Sequence, residues 1–86
     1  MIDEIIKAAK SRDLEELERL GCFSFHICLS RERVTFFRRD LFREITEDPD
    51  ILCRVSKIDG DLVAKAEIGG VSITVFNIDR YTQEAK

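Results

Sequence analysis

The feature that most constrains the fold is a regular alternation of apolar residues between positions 51 and 75. In three short runs an apolar side chain recurs at every second position, which is the period of a half-buried β-strand. Asp59-Gly60 and Gly69-Gly70 separate these runs, and both dipeptides are typical of tight hairpin turns. The pattern predicts a three-stranded antiparallel meander with one apolar face.

The two turns also predict the register of the meander. Counting outward from them pairs Ala66 with Ile73 and Val55 with Ala64, so that all three strands share one apolar face. The two alanines leave room on that face, because close packing requires a larger neighbour to fill the space beside them. We expect a helix to pack there.

Residues 2–20 predict two short helices or one kinked helix. The first apolar stripe consists of Ile2, Ile5, Ile6 and Ala9. The second consists of Leu14, Leu17 and Leu20, and it is out of phase with the first, which places a break near residues 11–13. Ser11 or Asp13 would cap the second helix, and Gly21 would end it. We expect the leucine stripe to cover the meander.

Residues 22–38 predict a β-hairpin, and residues 39–46 a short helix. Phe23, Phe25, Ile27 and Leu29 alternate with polar or small residues. A four-residue loop, Ser30–Arg33, would pair Leu29 with Val34 and Ile27 with Phe36. The 86 residues therefore predict one α+β domain, 1–86, comprising an N-terminal helix pair or kinked helix, a β-hairpin, a short helix and the meander. We expect a five-stranded, mainly antiparallel sheet with helices covering one face.

A basic segment lies in the middle of a chain whose net charge is -3. Its candidate partner-binding residues are Arg31, Arg33, Arg38, Arg39 and Arg43. On the predicted hairpin the first four would form a stripe about 17 Å long, which suits a macromolecular surface better than a small-molecule site. Phe36 and Phe37 lie among them, as in surfaces that stack nucleic-acid bases. The alternative is that both rings are core residues and the arginines form a solvated rim.

No motif predicts catalysis, a cofactor or a metal site. His26 and Cys28 would share a strand face, but a metal site needs three or four ligands and no further ligand lies close in sequence. The three cysteines lack disulfide or CxxC spacing, which favours free thiols and a cytoplasmic, reducing setting. The longest apolar run is too short to cross a membrane, and the N-terminus lacks a signal-peptide pattern. We expect no enzyme activity and no membrane partner.

The segment Glu67-Ile68-Gly69-Gly70-Val71-Ser72-Ile73-Thr74-Val75-Phe76 resembles the C-terminal hairpins of small uncharacterised α+β proteins that phages and prophages encode. The resemblance covers the last third of the chain and assigns no functional residue. It implies a non-enzymatic protein that acts by binding a host or viral macromolecule, for example as an interaction module that inhibits or regulates a host protein. The sequence favours a module for an acidic protein partner, because the net charge of -3 opposes nucleic acid at long range. The alternative is a nucleic-acid-binding regulator that uses residues 31–43; either could also form a homo-oligomer.

Overall fold

The computed structural model of the chain describes residues 1–77 and divides them into three helices and five strands. The helices are α1 (Ile2–Ser11), α2 (Leu14–Arg19) and α3 (Arg39–Glu47). The strands are β1 (Cys22–Cys28), β2 (Arg31–Phe37), β3 (Cys53–Ile58), β4 (Asp61–Ile68) and β5 (Val71–Phe76). The strands form one sheet in the order β1-β2-β5-β4-β3. The predicted α+β class is confirmed.

The sheet is mixed, which corrects the prediction of a three-stranded antiparallel meander. β2 and β5 run parallel and join the hairpin to the other three strands, whereas every other neighbouring pair is antiparallel. Within β3, β4 and β5 the predicted register is confirmed: Ala66 pairs with Ile73 and Val55 with Ala64. The glycine turns thus determine how β3, β4 and β5 pair, and the parallel contact between β2 and β5 determines the order of the five strands.

The register predicted for the hairpin is wrong. The turn is the pair Leu29-Ser30, with φ angles of 52° and 66°, instead of a four-residue loop. Ile27 therefore pairs with Glu32 and not with Phe36. Leu29 does not pair with a strand residue at all, and its side chain is 97% exposed in the turn. Two successive left-handed residues match the twist of a hairpin, and this explains why such a short turn closes it.

The core lies between the helices and one face of the sheet. α1 packs against β2 and β5, and α3 packs against β4 and β5. Fully buried side chains include Ile5 of α1, Phe36 of β2 and Ile45 of α3. α3, and not the predicted leucine stripe, therefore lies beside the meander alanines. α2 packs on α1 and β1, which leaves Leu14 60% exposed.

The junction between α1 and α2 confirms the predicted break. Arg12 takes a left-handed conformation (φ 55°) and ends α1. The Asp13 side chain then accepts a hydrogen bond of 3.2 Å from the backbone N–H of Glu16, which caps α2. Of the two predicted caps, the structure selects Asp13.

We expect Asp13→Ala to lower the free energy of unfolding by about 1 kcal/mol, because the first turn of α2 loses its side-chain acceptor. Ser11→Ala is the matched control, since it removes the other candidate cap from an exposed position and should change stability by less than about 0.5 kcal/mol. Urea unfolding followed by circular dichroism measures both. Equal effects of the two substitutions would contradict this assignment of the cap.

Candidate functional site

The sheet face opposite the helices carries charged side chains, hydroxyl groups, a histidine and aromatic rings. We call it the open face, since the helices of residues 1–77 pack on the other side. Strand register places these side chains on it: Phe23, Ser24, His26 and Cys28 of β1; Arg31, Arg33, Thr35 and Phe37 of β2; Ser72, Thr74 and Phe76 of β5; Asp61, Val63, Lys65 and Glu67 of β4; Arg54, Ser56 and Ile58 of β3.

The middle of the open face is concave. The concavity encloses about 840 Å³ and extends from β1 across β2, β5 and β4 to β3. Most of the residues that line it are polar or charged, and they include Arg33, Lys65 and Arg54 together with Thr35 and Thr74. Twisted sheets produce such saddle-shaped surfaces, and the breadth of this one suits a segment of a macromolecule.

Three cations in the concavity have no acidic partner among residues 1–77. Arg33, Arg54 and Lys65 form no ion pair with another residue of the described part of the chain. Glu67, the acidic residue in the lining, is already bound to the guanidinium of Arg31. The concavity therefore presents positive charge together with hydroxyl donors, a combination that binds anionic oxygen atoms.

An aromatic cluster adjoins the concavity. A bulge between Cys22 and Ser24 turns Phe23 onto the open face, where its side chain is 70% exposed. Its ring packs edge-to-face with that of Phe37, with 4.6 Å between centroids, and Phe37 stacks on Phe76 at the same separation. Phe23 is thus an exposed ring that packs on Phe37. Alternation with Phe25 predicts the core face for Phe23, and the bulge makes that prediction wrong.

The arginines predicted as one binding stripe lie on different surfaces. Arg31 and Arg33 are strand residues of the open face. Arg38 precedes α3, while Arg39 and Arg43 belong to that helix. The prediction that these arginines form one elongated stripe along two paired strands is therefore wrong. β2 ends at Phe37, and the chain then enters α3.

Arg38 is engaged within the fold. Its guanidinium donates 2.6 Å to the carbonyl oxygen of Leu20, and it also donates to both carboxylate oxygens of Asp40, at 3.0 and 2.6 Å. These hydrogen bonds hold the pKa of Asp40 below its usual value. Arg38 thus ties the end of α2 to the start of α3, and we place it outside the candidate site.

Two residues of the concavity were not singled out in the sequence. Arg54 and Lys65 are direct neighbours across β3 and β4. Each occupies a polar position in an alternating strand, which by itself predicts only exposure. The signal that could have found them was the predicted register, because it puts both cations on the face opposite the alanines.

Within the described residues, 1–77, His26 and the cysteines form no reactive arrangement. Ser24 Oγ and His26 Nε2 lie 2.8 Å apart in a hydrogen bond, and Cys28 is an exposed thiol on the same face. Cys22 is half-buried and faces the core, where burial raises the pKa of its thiol. Within residues 1–77, no three His, Cys, Asp or Glu side chains are grouped so that they could hold a metal ion.

The fold and the open face together define a small α+β protein with a one-sided helical layer and a polar, cationic sheet surface. Comparison of the chain with protein families, with curated proteins and with solved structures finds no match in any of the three. In the described part of the chain, none of the helices has the length and apolar character needed to cross a membrane.

Proposed function

We propose that this protein is a non-enzymatic binding protein whose open face binds single-stranded nucleic acid. The observation that carries the proposal is the juxtaposition of the exposed ring of Phe23 with three cations, Arg33, Arg54 and Lys65, that have no acidic partner within residues 1–77. Folds that bind single strands combine these two elements: a positive surface that follows the phosphates and aromatic rings that stack on bases.

The distribution of charge supports an anionic ligand despite the net charge of -3. The three helices carry eight acidic and five basic side chains, so much of the negative charge lies on the opposite side of the sheet. On the open face the strands bring four cations, Arg31, Arg33, Arg54 and Lys65, against the acids Asp61 and Glu67. Local potential, rather than net charge, then governs approach within a Debye length of about 10 Å at 0.1 M salt.

The spacing of the cations suits an extended strand. Arg33 and Arg54 lie on strands three spacings apart, about 14 Å at 4.8 Å per strand, and Lys65 lies beside Arg54. A chain of a few nucleotides crossing the strands would meet these cations in turn. The hydroxyls of Thr35 and Thr74 continue the row of Lys65 and Arg54 across the sheet to β2 and can donate to phosphate or sugar oxygens.

Phe23 favours single strands over duplexes. Bases in a duplex are already stacked and paired, whereas a single strand can place a base on an exposed ring at a gain of about 1–3 kcal/mol. Phe37, which itself stacks on Phe76, packs against this ring, so the ring loses little side-chain entropy on binding.

The second candidate is an acidic protein surface, as expected for an interaction module that inhibits or regulates a host protein. The same cations favour it, and the negative helical layer would discourage long-range approach of a polyanion. Such a partner needs the cations but gains no base stacking. Phe23 therefore distinguishes the two candidates.

Fluorescence anisotropy with single-stranded RNA and DNA of about 12 nucleotides tests the proposal, since this length is within the site size of known single-strand binders. Neutralising about three phosphates should give a slope near −2 in a plot of log K against log salt. Phe23→Ala should weaken binding by about tenfold, and Leu14→Ala, an exposed apolar residue on α2, should have no effect.

Two results would reject nucleic-acid binding. One is the absence of any signal with either oligonucleotide at about 0.05 M salt, where electrostatic binding is strongest. The other is binding of polyglutamate that equals or exceeds binding of the oligonucleotides and does not change in Phe23→Ala. That second pattern would support the acidic protein partner.

A further inference from the structure

We propose that two copies of this chain associate by antiparallel pairing of their β1 strands, with the twofold axis at His26. The pairing would join two five-stranded sheets into one continuous sheet. The proposal concerns the outer edge of β1 and does not depend on what the open face binds.

β1 is an edge strand, and its protective bulge lies between Cys22 and Ser24, so that the rest of the strand pairs regularly up to Cys28. It is the first strand in the sheet order, it spans seven residues, Cys22–Cys28, and it contains neither a charged residue nor a proline. The opposite edge, β3, carries Arg54 and Lys57, and such charges keep edge strands apart. Self-pairing of β3 would bring like charges together, whereas β1 carries nothing that repels a second copy.

The sequence around β1 has the same chemical pattern in both directions. From Phe23 to Leu29 it alternates large apolar and small or polar residues symmetrically about His26. An antiparallel pair centred on His26 places Phe25 opposite Ile27 of the second copy and Ser24 opposite its Cys28. A twofold interface requires such self-complementarity, and a foreign partner strand would not.

The backbone geometry fits the same axis. Cys28 and Arg31 flank a two-residue turn and so form a hydrogen-bonded pair, which directs the N–H and C=O groups of Ser24, His26 and Cys28 towards β2. The groups of Phe25 and Ile27 consequently point outward. In a pair centred on His26, Phe25 of each copy faces Ile27 of the other, and the two such pairs make four backbone hydrogen bonds.

Exposed apolar area at this edge supplies a driving force. Ile27 and Leu29 are 46% and 97% exposed. Pairing about His26 covers Ile27 with Phe25 of the second copy and places Leu29 at the start of the second copy's β1. Burial of such side chains contributes about 25 cal/mol per Å² of apolar surface removed from water.

Sedimentation velocity of the full chain without nucleic acid tests the association. We expect a concentration-dependent monomer–dimer equilibrium. His26→Lys places two like charges at the axis and should shift the equilibrium at least tenfold towards monomer. Ser56→Lys is the matched control on the opposite edge and should leave the equilibrium unchanged. Circular dichroism confirms that both variants fold.

A crosslinking experiment tests the register independently of any effect on stability. Across the axis, position 24 of one copy and Cys28 of the other form a non-hydrogen-bonded pair with Cα atoms about 4.5 Å apart, within the range that a disulfide spans. Ser24→Cys should therefore give a covalent dimer on mild oxidation, linked through Cys28 of the second copy in peptide mapping. Ser56→Cys, on β3, should give no link to Cys28.

Three outcomes would overturn the proposal. The first is a chain that stays monomeric up to about 1 mM, the weak end of specific association. The second is a dimer that His26→Lys and Ser56→Lys affect equally. The third is an oxidised Ser24→Cys variant whose intermolecular links avoid Cys28.

Discussion

Replacing Ala66 by Asp is expected to abolish the cooperative unfolding transition of this protein. Ala66 is 6% exposed on β4, between Ile73 of β5 and Cys53 of β3, on the face that α3 covers. A carboxylate there would be buried without a basic partner, at a cost of several kcal/mol. A domain of this size has a total stability of about 5–15 kcal/mol, so most or all of it would be lost.

Lys65→Asp provides the matched control for this prediction. It introduces the same carboxylate one position away, on the exposed side of the same strand, and should change the free energy of unfolding by less than about 1 kcal/mol. Thermal and urea unfolding followed by circular dichroism compare the two variants. An Ala66→Asp protein that unfolds cooperatively with a loss under about 1 kcal/mol would contradict the placement of this face in the core.

The meander register was predictable because its turns carry their own signal. Glycine adopts positive φ without steric cost, so Gly60 and Gly69-Gly70 mark where the strands reverse. Once the turns are known, the alternation of apolar residues leaves a single register that keeps them on one face. The pairing of Ala66 with Ile73 follows directly.

The hairpin register was not predictable by the same argument. Its turn consists of Leu29 and Ser30, two residues that rarely take positive φ, and neither marks a turn in the sequence. The bulge at Phe23 adds a second shift, which moves the ring from the core face to the open face. The alternation of apolar residues therefore predicts the two strands of the hairpin correctly, but it pairs their residues wrongly.

The parallel contact between β2 and β5 has no local signal at all. Thirty-nine positions separate Glu32 from Val71, its partner across the two strands, and only packing of the whole domain brings them together. The same contact creates the candidate site, because it places Arg33 of the hairpin on one surface with Lys65 and Arg54 of the meander. The distribution of charge along the sequence points to the arginines of 31–43, but it does not show that Arg33, Arg54 and Lys65 lie together in the fold.

The open face and the β1 edge combine into one testable picture of the assembly. Pairing at β1 would place the two β2 strands about 14 Å apart, three strand spacings, with both open faces on the same side of the sheet. A dimer would thus present two sets of Arg33, Arg54 and Lys65 along one continuous surface. A single strand long enough to reach both sets would bind with increased avidity.

Reversing two charges on the open face should have the largest effect on ligand binding. We expect Arg33→Glu combined with Lys65→Glu to weaken binding of single-stranded nucleic acid on the order of 100-fold. Each contact between a cation and a phosphate is worth about 1.5–3 kcal/mol, and two of them would be replaced by repulsion. Both side chains are exposed and without ion-pair partners in residues 1–77, so the fold should tolerate the change.

The control for charge reversal must alter net charge by the same amount on the other side of the sheet. Lys7→Glu combined with Arg43→Glu does so, because both side chains are exposed on helices, α1 and α3. It should weaken binding only a few-fold, through long-range repulsion that salt screens. Anisotropy titrations at several salt concentrations compare the two double variants.

Equal losses in both would show that net charge, and not the arrangement of Arg33, Lys65 and Arg54 on the open face, governs binding. A loss confined to the helix-side variant would move the site to the helical layer, where Arg43 was first predicted to act.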